Sequence, residues 1–175
     1  MKVLLSLSLL TLGLWAAQEQ EAPGGKLEQH AWLQRFAGKW NVSSQMLQPG
    51  SDPVTWESEE TVRKLGELWI TSETTAYGFT SIQTLGYDPQ KKAFVGSYVD
   101  TMQTTMWLFT GKLDEDRTVL TLESEGPSMS DPNETGKYRE LHERVTDDHK
   151  RVTHQTLGED GSWTTYMIVD SHRSK

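Results

Sequence analysis

Apolar residues follow two rhythms along this chain. Between Leu27 and Phe36 they fall at Leu27, Ala31 and Phe36, with Trp32 and Leu33 between. Spacing near three and four predicts one short amphipathic helix, stopped at Gly38. From Lys39 onward the rhythm changes to short runs rich in Thr, Val, Trp and Tyr, each closed by turn residues, and such runs read as strands. Ten are expected: Lys39–Leu47, Val54–Lys64, Leu68–Tyr77, Phe79–Tyr87, Ala93–Asp100, Thr104–Leu113, Thr118–Ser124, Lys137–Val145, Arg151–Leu157 and Trp163–Asp170. Pro49-Gly50-Ser51-Asp52-Pro53, Asp88-Pro89, Asp114-Glu115-Asp116, Asp147-Asp148 and Glu159-Asp160-Gly161 separate them. The tight joint at Tyr77-Gly78-Phe79 reads as a bulge.

About ten strands with short turns and no intervening helix exclude a doubly wound parallel sheet and predict an antiparallel up-and-down meander. A sheet of that size closes on itself to remove its edges. No repeat of 20–50 residues is visible, which argues against a propeller or solenoid. The expected class is therefore all-β: an antiparallel up-and-down barrel of about ten strands with a short N-terminal helix. Trp40, Val42, Ser44 and Met46 share one strand face, and Val54, Trp56, Ser58, Glu60 and Val62 another. Several strands carry apolar residues on both faces, which suits a barrel with a partly apolar lumen under a covering helix, and suits a sandwich as well.

Before the helix stand two segments of different character. Lys2 is the only charge in Met1–Ala17; an apolar run from Val3 to Trp15 follows it, and Ala16-Ala17 close it. These are the parts of a secretory signal peptide over residues 1–17, too short for a bilayer-spanning helix of ~20 residues. Residues 18–26 read as a flexible leader and 27–175 as one barrel domain. The expected location is secreted or periplasmic, with no stable membrane span once the signal is removed.

Composition narrows the chemistry. The 175 residues include no cysteine, which excludes disulfides, thiolate metal sites and cysteine nucleophiles. Seventeen basic and twenty-five acidic residues give a net charge of −8, and loss of Lys2 makes it −9. Such a chain is a poor partner for nucleic acid.

Phe36-Ala37-Gly38-Lys39-Trp40 forms a helix end, a Gly-x-Trp and a strand, similar to the opening of lipocalins and other calycins, whose Trp plugs the closed end of the barrel. Trp40 is the corresponding barrel-closing candidate. Further along stand Glu60-Thr61-Val62-Arg63, Thr84-Leu85-Gly86-Tyr87-Asp88, Phe94 to Met102, Gly111-Lys112-Leu113, Leu120 to Gly126 and Lys137-Tyr138-Arg139. In this order they resemble the DUF1579 family of largely uncharacterised, often exported bacterial proteins. The resemblance spans roughly Trp32 to Asp170. It implies a lipocalin-like barrel and no assigned reaction, so no catalytic residue is carried over.

Candidate chemistry concentrates on charges within strands. On the eighth strand Tyr138, Glu140, His142 and Arg144 share one face, and Arg139, Leu141, Glu143 and Val145 the other. The second face mixes charge with aliphatics. If it points inward, Arg139 reads an anionic group on an otherwise apolar ligand, with Glu73 or Glu123 as its carboxylate partner. His142 and His154 sit on adjoining strands, but two histidines without a third placed ligand make no zinc site. No Gly-x-Ser-x-Gly, His-Glu-x-x-His or phosphate-binding glycine run occurs. The expected ligand-binding set is Trp56, Trp69, Glu73, Tyr98, Trp107, Arg139 and Trp163, with no catalytic residue, metal or cofactor. The expected role is binding of a small, largely apolar or amphipathic ligand in the lumen. The alternatives are a filled barrel serving as a structural or protein-interaction domain, and an enzyme using a lumen carboxylate or histidine.

Overall fold

The computed structural model describes residues 25–175; the expected signal peptide and all but the last two residues of the leader lie outside the described residues. Helix α1 (Glu28–Gln34) leads into ten strands: β1 (Gly38–Met46), β2 (Val54–Leu65), β3 (Trp69–Ala76), β4 (Phe79–Asp88), β5 (Ala93–Asp100), β6 (Trp107–Leu113), β7 (Val119–Pro127), β8 (Thr135–Arg144), β9 (His149–Leu157) and β10 (Trp163–Arg173). Each strand pairs antiparallel with its sequence neighbour, and β1 pairs with β10 to close the ring. This is the up-and-down barrel that ten strands joined by short turns predict. Among the described residues no helix is long and apolar enough to cross a membrane.

Three local features differ from the sequence reading. Tyr77 and Gly78 form a two-residue hairpin turn, both with positive φ (41° and 83°), rather than a bulge. The irregularity lies instead between Thr165 and Met167 in β10. Strand β9 begins at His149, two residues before the expected Arg151, and its Lys150 turns into the barrel and pairs with Glu60.

The register sorts the two faces. Trp40 pairs with Glu60 and Arg173, and Val42 with Ser58 and Ser171. Trp40, Val42, Val62, Ile70, Leu85, Phe94, Leu120 and Leu122 are all buried in one core with Trp32, Leu33 and Phe36. That core closes one end of the barrel. Helix α1 is fastened over it by three side chains. His30 Nε2 donates to Tyr87 O at 3.1 Å, Trp32 Nε1 to Arg117 O at 2.9 Å, and Gln34 Nε2 to Trp69 O at 3.0 Å. His30 Nδ1 also accepts the Leu27 N–H at 2.9 Å, satisfying an orphan donor at the helix start.

Trp40 sits at this closed end with 2% of its surface exposed, and its Nε1 donates to Phe36 O at 2.9 Å. Arg173 lies 4.3 Å over its ring and donates to Ala37 O at 2.9 Å and Asp147 O at 3.0 Å. Gly38 has φ +142°, and a Cβ there would collide with the Arg173 guanidinium. The Gly-x-Trp spacing is thus a seat for the arginine of the last strand.

Candidate functional site

The inward faces of β2, β4, β8 and β9 carry charged and polar groups, and the barrel satisfies them across its own lumen. Lys150 of β9 reaches Glu60 of β2, and the Ser72 hydroxyl donates to the other Glu60 oxygen. Lys150 Nζ also lies 4.9 Å from the Trp40 ring centroid. One step toward the open end, Gln83 of β4 donates to Glu140 Oε2 of β8 at 3.3 Å. His142 Nε2 donates to the same oxygen at 2.7 Å, and His154 Nδ1 of β9 lies 3.5 Å from Glu140 Oε1. Both bridges join strands that are not neighbours in the ring. Together they form a polar floor between the apolar closed end and the open end.

Beneath this floor a cavity of about 60 Å³ is lined by Phe36, Glu60, Val62, Ile70, Ser72 and Lys150 among others, room for a few waters. Above it the lumen is a cup with aromatic walls. Trp107 and Tyr138 meet edge to face at 5.1 Å, Tyr138 and Tyr166 at 6.2 Å, and Tyr166 lies 6.0 Å from His154. The Trp107 ring is laid across the backbone of Gly126, where no Cβ stands in its way. Trp56, Tyr98, Trp107 and Tyr166 are only partly buried, and 14% of the Glu140 side chain remains exposed.

The floor also sets protonation. Burial alone would raise the Glu140 carboxyl, but the hydrogen bond from His142 and the charges of His154 and His142 outweigh it and hold the group below the usual carboxylate range. Burial pushes the His154 imidazole down, against the pull of Glu140. Burial first, then the Glu140 charge, pushes the Tyr166 hydroxyl well above its ordinary value. The floor therefore keeps Glu140 ionised at neutral pH.

The structure divides the residues expected from sequence. Trp56, Tyr98 and Trp107 face the lumen: Ser44 pairs with Trp56, Gln83 with Tyr98, and Tyr98 with Trp107. Trp69, Glu73, Arg139 and Trp163 do not; all four lie on the outer face, which corrects the lumen assignment for each. Trp69 covers Gly86 from outside. Glu73 forms an exposed ion pair with Arg63 at 3.0 Å. Arg139 stacks 4.3 Å over Trp163 and donates to Gln155 at 2.6 Å, so its partners are a ring and an amide rather than a carboxylate. The opposite face of β8, with Tyr138, Glu140 and His142, is the one turned inward. Sequence reasoning left Glu60, Gln83, Glu140 and Lys150 out of the site.

His142 and His154 do not meet each other directly; they flank Glu140. Among the described residues no group of three or more His, Asp or Glu is placed to hold a metal ion. Outside the barrel, a cleft of about 490 Å³ runs between α1 and the turns after β4 and β6; none of the seven expected ligand residues lines it.

The model of a family described as "Protein of unknown function (DUF1579)" matches residues 26–173. No curated protein matches the chain. Among solved structures, the fold is similar to Rv2717c from M. tuberculosis, with a TM-score of 0.53 and 13% identity over 86% of this chain and 99% of that one. It is also similar to the S-type phycobiliprotein lyase CPES from Guillardia theta, with a TM-score of 0.53 and 11% identity over 83% of this chain and 92% of that one. At these identities the likeness concerns the barrel fold alone.

Proposed function

This chain belongs to the DUF1579 family, and we propose that it binds a small amphipathic molecule in the open half of its barrel. The observation that carries this reading is the Glu140–His154 pair, which stays reachable by solvent at the floor of an aromatic cup. A few convergent polar groups beneath apolar walls are what small-molecule sites are made of. The polar part of the ligand meets Glu140 and His154, and its body lies against Tyr98, Trp107 and Tyr166. The lumen's polar middle favours the amphipathic form of the ligand expected from sequence. The fold likeness to a phycobiliprotein lyase is compatible with a lumen ligand.

Native mass spectrometry of protein purified from its own host tests this. The expected result is a co-purifying mass, reduced in a Trp107→Leu variant that still folds. A protein at its bare polypeptide mass, with tryptophan emission unmoved by a panel of small amphiphiles, would refute it.

We further propose that the protein is exported, on the strength of Lys2 and the apolar run to Trp15. The intact mass of the protein from its host should then correspond to a chain beginning after Ala16 or Ala17. A second reading, a protein-contact domain, is favoured by the exposed outer residues Ile82 and Val99, which pair across β4 and β5, with Leu108 beside them on β6.

A further inference from the structure

The sign of charge changes sharply along the barrel. Four inward-facing positions hold basic side chains: Lys64, Arg144, Lys150 and Arg173. All four lie at the closed end or beneath the floor, and Lys150 is neutralised by Glu60. Above the floor, among the described residues, no Lys or Arg faces the lumen. Basic side chains near the open end point outward: Lys137 toward Glu125 and Arg139 over Trp163.

The five loops around the mouth repeat the bias. Residues 47–53, 77–78, 101–106, 128–134 and 158–162 contain Asp52, Asp131, Glu134, Glu159 and Asp160, and no basic residue. Within the cup the Asp100 carboxylate accepts the backbone N–H groups of Met102 and Gln103 and is spent on its own loop. Glu140 is the carboxylate of the floor itself: Gln83 and His142 hold one oxygen, and His154 lies 3.5 Å from the other. A cleft lined by one sign of charge with low-dielectric walls focuses its field on the entering ligand. The surrounding rings add to this, because a π face attracts a cation through its quadrupole. The barrel already uses that contact twice at its other end, where Lys150 and Arg173 lie over Trp40 at 4.9 and 4.3 Å.

From this arrangement, and resting on the reading that the cup is a ligand site, we propose that its ligand is an organic cation, an ammonium group attached to an aromatic or otherwise apolar body. The charged nitrogen sits above Glu140, between Tyr98 and Tyr166, and the body extends toward Trp107 and Trp56. Burial, opposed by the Ser81 hydrogen bond, pushes the Tyr98 hydroxyl up, and the Asp100 and Glu140 charges add to it.

Three probes of nearly one shape test the sign: benzyltrimethylammonium, its uncharged carbon isostere neopentylbenzene, and phenylmethanesulfonate. Binding is read by calorimetry and by tryptophan emission on the purified protein. The expected result is a cation affinity at least tenfold above the neutral probe, with no binding of the sulfonate. Affinity for the cation should fall as salt is raised, while that for the neutral probe holds. Glu140→Gln should lower cation affinity about tenfold and leave the neutral probe unchanged. The salt dependence stands on the native protein, so the test survives if that variant fails to fold. Equal or tighter binding of the neutral or anionic probe overturns the cation assignment and leaves the cup as a binding site. Failure of all three probes to bind overturns both.

Discussion

Lys150 gives the sharpest test of the reasoning about the lumen, because it is a charge inside a barrel with one carboxylate to face. Only 8% of its surface is exposed, and Nζ pairs with Glu60 while lying near the rings of Trp40 and Phe36. Lys150→Met fills the same volume but strands Glu60 with the Ser72 hydroxyl as its remaining partner. Removing one member of a buried pair costs about 3–5 kcal/mol, chiefly the desolvation of the charge left behind. For a domain of this length that lowers the melting temperature by on the order of 10 °C. Adding Glu60→Gln removes the stranded charge and keeps an amide for Ser72. The double variant should recover to within about 1.5 kcal/mol of the native protein, since a well-packed neutral replacement of a buried pair is often close to neutral. Urea unfolding followed by tryptophan fluorescence measures all three proteins, and equal m values check that the same surface is exposed in each. A single variant within about 1 kcal/mol of native, or a double variant no more stable than the single, would show that the pair does not brace β9 against β2.

Four further outcomes follow from the geometry. His154 is held below the ordinary imidazole value of 6.5 by burial, so the unfolded chain takes up a proton there that the folded one refuses. Stability should fall as pH drops below about 6.5, and the difference between the native protein and His154→Gln should shrink from pH 7 to 5.5; a difference that stays constant sinks the idea. Glu140, held low, keeps its stabilisation until pH falls below the ordinary carboxylate value of 4.5 and through its own lower one. Gly111→Ala drives a methyl into the Thr121 carbonyl and Leu122 Cα of β7, backbone that cannot step aside, and should cost about 1–3 kcal/mol in chemical denaturation. Arg139→Met loses an outer-face stack on Trp163 and should change stability by about 1 kcal/mol or less, with no change in the affinity of any lumen ligand.

All ten strands and the helix are visible in the hydropathy rhythm, because turns rich in Pro, Gly and Asp mark most of the joints. The lumen is harder to read. On β8 the aliphatic Leu141 and Val145 make the Arg139 face look like the buried one. The opposite face goes inside because its charges find partners on other strands: Gln83 on β4, His154 on β9. Such complementarity cannot be seen along a single strand. It shows only when β8 is set against β2 and β9, where Glu60 and Lys150 occupy matching inward positions. The irregularity in β10 defeats alternation in another way. Simple period two puts Trp163 on the same face as Met167, whereas the extra residue at Tyr166 turns Tyr166 inward and leaves Trp163 outside. On β3 the inward set is Ile70, Ser72 and Thr74, so the bulkier and more conspicuous Trp69 and Glu73 fall outside.

The seam between β1 and β10 has a consequence for how the molecule is made. The ring closes where Trp40 pairs with Arg173, the first strand and the last. A chain growing from its N-terminus therefore displays β1 with one unpaired edge until the final strand has been synthesised. At about 5–20 residues per second the interval between Gly38 and Arg173 lasts on the order of ten seconds. Throughout that time an open edge is available for pairing with another chain. Arg173 is the residue whose arrival ends the exposure: its guanidinium seats against Gly38, covers Trp40 and ties the carbonyls of Ala37 and Asp147. A chain cut off before β10 would leave β1 with its edge open, a sheet rather than a barrel.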